Sequence, residues 1–146
     1  MPITFALFLV AVGSYILLSF ISIFGDSAIA GYGAAIRFEH IFTLPVIGLN
    51  TAVITIAGQN FGARRYDRVR DVYNKAVIIG CIIMCISGII IFLFSEFIVS
   101  LFTNDLEVIK FGSSYLKIAA FIGPIYTVFF ISHALFTALK KTHFIF

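Results

Sequence analysis

Four stretches of this 146-residue chain hold no Asp, Glu, Lys or Arg: residues 1–25, 41–63, 76–95 and 118–139. Each is at least 20 residues long. An α-helix rises about 1.5 Å per residue, so it crosses a hydrocarbon core of about 30 Å in roughly 20 residues. In lipid only helices and closed barrels satisfy their backbone groups, and these runs are too long and unbroken for the alternating strands of a barrel. Composition agrees: 61% of residues are hydrophobic and 12% charged, where a water-soluble domain has about 45–50% and about 25%. A soluble single domain, a disordered chain, a disulfide scaffold and a collagen-like chain are excluded. The sequence predicts an all-α polytopic membrane protein of four transmembrane helices, with the lipid bilayer as its first partner.

The predicted helices cover about 3–24, 27–61, 75–102 and 105–139, with a basic loop over 62–75. The first run has no basic leader and no small-x-small cleavage site, so it reads as a retained span rather than a signal peptide. Its abrupt start suggests a chain that begins inside something longer. Arg64, Arg65, Arg68, Arg70 and Lys75 make the second connection the most basic one, and Lys140 and Lys141 fall on the same face. Gly25-Asp26-Ser27 and the segment from Phe102 to Glu107 fall on the other, acidic or neutral apart from Lys110 and Lys117. Basic loops stay inside the cell, which predicts a multi-pass protein of the cytoplasmic membrane with both termini cytoplasmic. A nucleic-acid partner is not expected, since topology alone accounts for the positive charge.

Local signals refine the helices. Asp26 reads as the N-cap of the second helix and Gly62 as its terminator. Asn104, with Glu107 three residues on, reads as a capping box for the fourth. Pro45 and Pro124 fall inside helices two and four, where each removes a hydrogen bond and kinks the helix, leaving the carbonyls of Ile41 and Ala120 short of a partner. Such prolines are ordinary in membranes, and transporters also use them to bend helices near a cavity.

Arg37 and Glu39 are the costly residues. A charge at the bilayer centre costs about 2.5–3.5 kcal/mol on insertion scales, against a return of about 0.3–0.6 for each large apolar residue. The second helix is marginal alone. Residues two apart point in different directions, so Arg37 and Glu39 are not each other's partner. Either each faces a wet cavity or another helix, or the helix overshoots the membrane and both sit at its outer surface. At 100° per residue Glu39, Thr43 and Asn50 share a stripe of helix two; Tyr126, His133 and Thr137 share one on helix four; Tyr15, Ser19 and Ser22 share one on helix one. Such stripes suit a water-accessible pathway, the stronger reading for Glu39, or interhelical hydrogen bonding, the stronger reading for the hydroxyls. Cys81 and Cys85 read as packing residues, and no metal site is expected. No nucleophile–base arrangement, P-loop or metalloprotease motif is present, so an enzyme is not expected.

Gly31-Tyr32-Gly33-Ala34-Ala35-Ile36-Arg37-Phe38-Glu39, then Leu44-Pro45-Val46-Ile47-Gly48-Leu49-Asn50, then Gly58-Gln59-Asn60-Phe61-Gly62-Ala63 before the arginines, resemble the multidrug and toxic compound extrusion family. The wording is closest to the second helix of that family's C-terminal lobe, so residues 1–146 resemble the seventh to tenth helices of a twelve-helix transporter, four of the six in one lobe. The resemblance implies export of cationic or amphipathic drug-like molecules by alternating access between two lobes, driven by sodium or proton flow, with no cofactor. It makes Arg37, Glu39 and Asn50 the central polar positions of the lobe, and Gly58, Gln59, Asn60 and Gly62 the cytoplasmic end of the helix. It also makes the last two helices of this lobe, and the whole other lobe, partners of the chain. Export by these 146 residues alone is not expected. An inert remnant or a helix-packing subunit is the alternative.

Overall fold

The computed structural model describes the backbone of residues 3–142 and the side chains of residues 8–139; the side chains of Lys140 and Lys141 lie outside the described residues. The chain forms α1 (Ile3–Ser22), α2 (Asp26–Gly62), α3 (Tyr66–Ser100) and α4 (Leu106–Thr142). No strand occurs among the described residues. Among the described residues three helices are long and apolar enough to cross a membrane: Asp26–Gly62, Tyr66–Ser100 and Leu106–Leu139; the apolar stretch described in α1, Phe8–Ser22, is shorter. The chain is an all-α, multi-pass membrane protein.

Helices α2, α3 and α4 pack on one another, and α1 packs against α2. Helices α2 and α4 run parallel and in register. Ser27 Oγ meets Glu107 Oε2 at 3.4 Å, and the Asn50 amide donates to the Phe130 carbonyl at 3.4 Å, each pair 80 residues apart. Helix α3 runs antiparallel to both, tied to α4 by Tyr73 Oη and Ser132 Oγ at 2.9 Å and by Lys117 Nζ and Glu96 Oε1 at 3.2 Å.

Small residues set the spacing. A Cβ on Gly31 would lie 2.7 Å from the Val108 carbonyl oxygen and 2.9 Å from the Gly112 nitrogen, and a Cβ on Gly112 would lie 2.9 Å from the Gly31 carbonyl oxygen. The backbones of α2 and α4 therefore touch at this point, which only glycine on both sides allows. Gly88 of α3 faces the Ala120 carbonyl in the same manner, at 2.9 Å from a built Cβ. That carbonyl is the one Pro124 deprives of its helical donor, and the α3 backbone comes close to it at Gly88. Both α2 and α4 continue as helices through Pro45 and Pro124.

The helix ends differ from the sequence reading at three places. Gly25, at φ 94, is the N-cap of α2, and Asp26 is its first helical residue, well placed against the helix dipole. The cap of α4 is Asp105, whose Oδ1 accepts from the Glu107 backbone N–H at 2.9 Å, rather than Asn104. Gly62 is still helical, and the left-handed residue that ends α2 is Arg64 at φ 57. Arg64 N–H donates to Phe61 O at 3.0 Å and Arg65 N–H to Asn60 O at 2.9 Å, the paired bonds of a Schellman ending.

The basic loop expected over 62–75 is also shorter than the sequence suggests, because α3 begins at Tyr66. Val69, Val72 and Tyr73 recur at helical spacing and pack against Val53, Ala57 and Ala138, which turns an amphipathic connector into the first turns of a helix.

The contact between α2 and α4 yields a signed prediction. Gly31→Ala should lower the stability of the detergent-solubilised chain by about 1–3 kcal/mol, the usual cost of overpacking. Gly33→Ala, where an added Cβ meets nothing within 4 Å, should leave stability unchanged or raise it by about 0.4–1 kcal/mol. Thermal unfolding of both variants checks the pair.

Candidate functional site

The three-helix unit is packed at its two ends and open between them. One core, around Val53, Ala57, Ile131 and Ala134, lies toward the basic connector; another, around Ala35, Ile98, Val99 and Leu116, lies toward the opposite end. Between them is a cavity of about 580 Å³, lined mainly by apolar side chains of α2, α3 and α4, with Leu17 of α1 at its edge.

Glu39 is the acid in its lining. The Tyr115 hydroxyl donates to Glu39 Oε2 at 2.6 Å, from α4 to α2. Tyr32, about two turns before Glu39, sets its ring edge-on to Tyr115 at 5.2 Å. The register of α2 and α4 delivers this meeting, since the Gly31–Gly112 contact holds the two helices together within two turns of it. The bond to a phenol takes the place of one water that a carboxylate would otherwise need, while the open side of the cavity keeps the group half-exposed. Thr43 returns its hydroxyl to the Glu39 carbonyl on its own helix. Tyr126 stacks on Phe130 at 5.5 Å, and Phe129 meets Phe130 edge-on. Tyr126 and Phe130 line the cavity on the side of the basic connector.

Of the residues singled out from sequence, Glu39, Thr43 and Tyr126 line this space, and Asn50 bonds the carbonyl of Phe130, which lines it too. Arg37 is exposed and has no ion pair among the described residues. His133 is exposed as well, and its carbonyl accepts from Thr137 at 2.9 Å. The polar stripe of α4 thus continues past the end of the cavity to a level where the helices are packed. On α1, Ser19 and Ser22 return their hydroxyls to carbonyls of their own helix, and Tyr15 is exposed. Gly58, Gln59, Asn60 and Gly62 lie at the far end of α2, where the Gln59 and Asn60 carbonyls receive Ala63 and Arg65. Among the described residues no cluster of His, Cys, Asp or Glu could hold a metal ion.

Tyr32, His40, Ser87 and Tyr115 also line the cavity, and sequence reasoning passed over them. A signal existed for two. Tyr32 precedes Glu39 by seven residues and Tyr115 precedes Tyr126 by eleven, spacings that return to the same helix face.

The MatE family model matches residues 2–146. The chain belongs to the MatE family. It is 30% identical over 126 residues to the probable multidrug resistance protein YpnP of Bacillus subtilis, covering 86% of this chain and 28% of that protein. It is 29% identical over 111 residues to the probable multidrug resistance protein NorM of Thermotoga maritima, covering 76% and 24%. It is 28% identical over 99 residues to the multidrug export protein MepA of Staphylococcus aureus, covering 68% and 22%. The chain spans about a quarter of the length of these relatives.

The bond between Glu39 and Tyr115 is measurable apart from any transport. A double-mutant cycle on unfolding, with Glu39→Gln, Tyr115→Phe and the pair, should return a coupling of about 1.5–3 kcal/mol, the range for hydrogen bonds to charged groups. A coupling near zero would mean that the two side chains do not act together.

Proposed function

We propose that the chain is part of a multidrug efflux transporter of the cytoplasmic membrane, and that its cavity is a portion of the path taken by amphipathic or cationic drug-like molecules. The observation that carries this reading is the half-open cavity, with aromatic rings around a single carboxylate at Glu39. The multidrug names of its MatE relatives support the same reading. Export proceeds by alternating access of two lobes around a site near the middle of the membrane, coupled to inward sodium or proton flow. Glu39 takes part in that coupling. Residues 1–146 supply four helices of one six-helix lobe, and by themselves they do not transport. The remaining helices of that lobe and the opposite lobe are the partners that cover the open side. The basic connector and both termini lie in the cytoplasm.

Two measurements test the reading. In a transporter completed with the helices of a MatE relative, Glu39→Gln should reduce drug export several-fold at an unchanged amount of protein in the membrane; wild-type export by that variant would remove Glu39 from the mechanism. For orientation, Arg70→Cys in a chain with Cys81→Ala and Cys85→Ala should resist a membrane-impermeant thiol reagent in intact cells and react once the cells are opened. Labelling from outside would reverse the topology.

A further inference from the structure

The surface at the basic end is left unused by the proposed pathway, and it has a defined shape. Arg64, Arg65 and Arg68 line an open bay of about 490 Å³ together with Tyr66, Asp67 and Asp71. All six residues are exposed. Among the described residues the ion pair is Lys117 with Glu96, so neither aspartate stands within salt-bridge distance of these arginines. The bay sits at the end of the uncharged run 41–63, where the Phe61 ring meets Tyr66 at 5.6 Å; aromatic residues of this kind mark the headgroup level of a bilayer. Arg64 holds the left-handed position at φ 57, a place glycine fills at lower cost. A strained arginine where glycine would serve the turn better points to work done by the side chain.

We propose that Arg64, Arg65 and Arg68 bind the phosphodiester of an anionic phospholipid of the phosphatidylglycerol type. Guanidinium forks match phosphate oxygens in pairs, and an arginine is charged at any physiological pH. Asp67 and Asp71 set the choice of headgroup. Three guanidinium groups against two carboxylates leave one positive charge, which suits a singly charged phosphodiester and opposes a doubly charged phosphomonoester. The carboxylates accept hydrogen bonds from the hydroxyls of a glycerol headgroup. The ammonium of an ethanolamine headgroup would be repelled by the net positive charge that the same three guanidinium groups leave over the two carboxylates, and is disfavoured.

The test uses the full 146-residue chain, purified in mild detergent and offered equal amounts of phosphatidylglycerol, phosphatidylethanolamine and phosphatidylcholine, with bound lipids counted by native mass spectrometry. Phosphatidylglycerol should be enriched over the other two. The triple variant Arg64→Gly, Arg65→Gln, Arg68→Gln should lose that enrichment, while Arg70→Gln with Lys75→Gln should keep it. Arg64→Gly alone relieves the strained turn, so it should unfold at the same or a higher temperature and still bind less phosphatidylglycerol. Equal enrichment of phosphatidylethanolamine, retention of the preference in the triple variant, or an equal loss in the Arg70 and Lys75 pair would overturn the site; the last would leave only diffuse charge attraction.

Discussion

Two helix backbones in direct contact, α2 on α4 at Gly31 and Gly112, fix everything else in this unit. In lipid there is no hydrophobic gain from bringing helices together, because the tails are as apolar as the side chains. Association must come from close packing and hydrogen bonds, and these require small residues where the backbones cross. With that contact made, two parallel helices are held in one register from Ser27 and Glu107 down to Gly58 beside Ala138. The meeting of Glu39 with Tyr115 and of Asn50 with Phe130 follows from the register.

The outward faces complete the picture. Phe8, Tyr15, Ile23, Leu93, Phe121 and Phe129 are each at least 63% exposed, which no water-soluble fold of this size would tolerate in such number. Such faces belong against acyl chains or other helices. Buried volume, by contrast, is built from Ala, Gly, Val and Ile at i, i+3 and i+4 along α2, α3 and α4. The inside is made of small side chains and the outside of large ones, the reverse of a soluble helix bundle.

Much of this was legible in the sequence, and the parts that were not share a cause. Uncharged runs announce membrane helices because charge in lipid is costly, and that cost is a property of each residue alone. The family was legible in the wording of α2 around Arg37, Asn50 and Gly58–Gly62. Pairings between helices depend on register, which no single helix encodes; hence Tyr115 and Tyr32 were passed over although they lie on stripes already drawn through Tyr126 and Glu39. The ends of helices were misjudged where capping competes. Gly62 and Asn104 are good capping residues, yet Arg64 and Asp105 take the positions, because the helix stops where its last turn can be packed and bonded. The connector misled for a related reason: its charges read as loop, while Val69, Val72 and Tyr73 supply an apolar face that extends α3.

The charges of the three helices gather at one level. Glu39 bonds Tyr115, and Lys117, two residues further along α4, bonds Glu96 of α3. Charged groups from three helices therefore lie at one height, and the uncharged runs 41–63, 76–95 and 118–139 align on the connector side of them. The belt these runs form is roughly 30 Å deep at about 1.5 Å per residue, the thickness of a hydrocarbon core. Glu39 thus sits at the end of the uncharged belt and at the cavity wall. It is within reach of water from the open side and of a phenol from the packed side, so it is held in place without being buried.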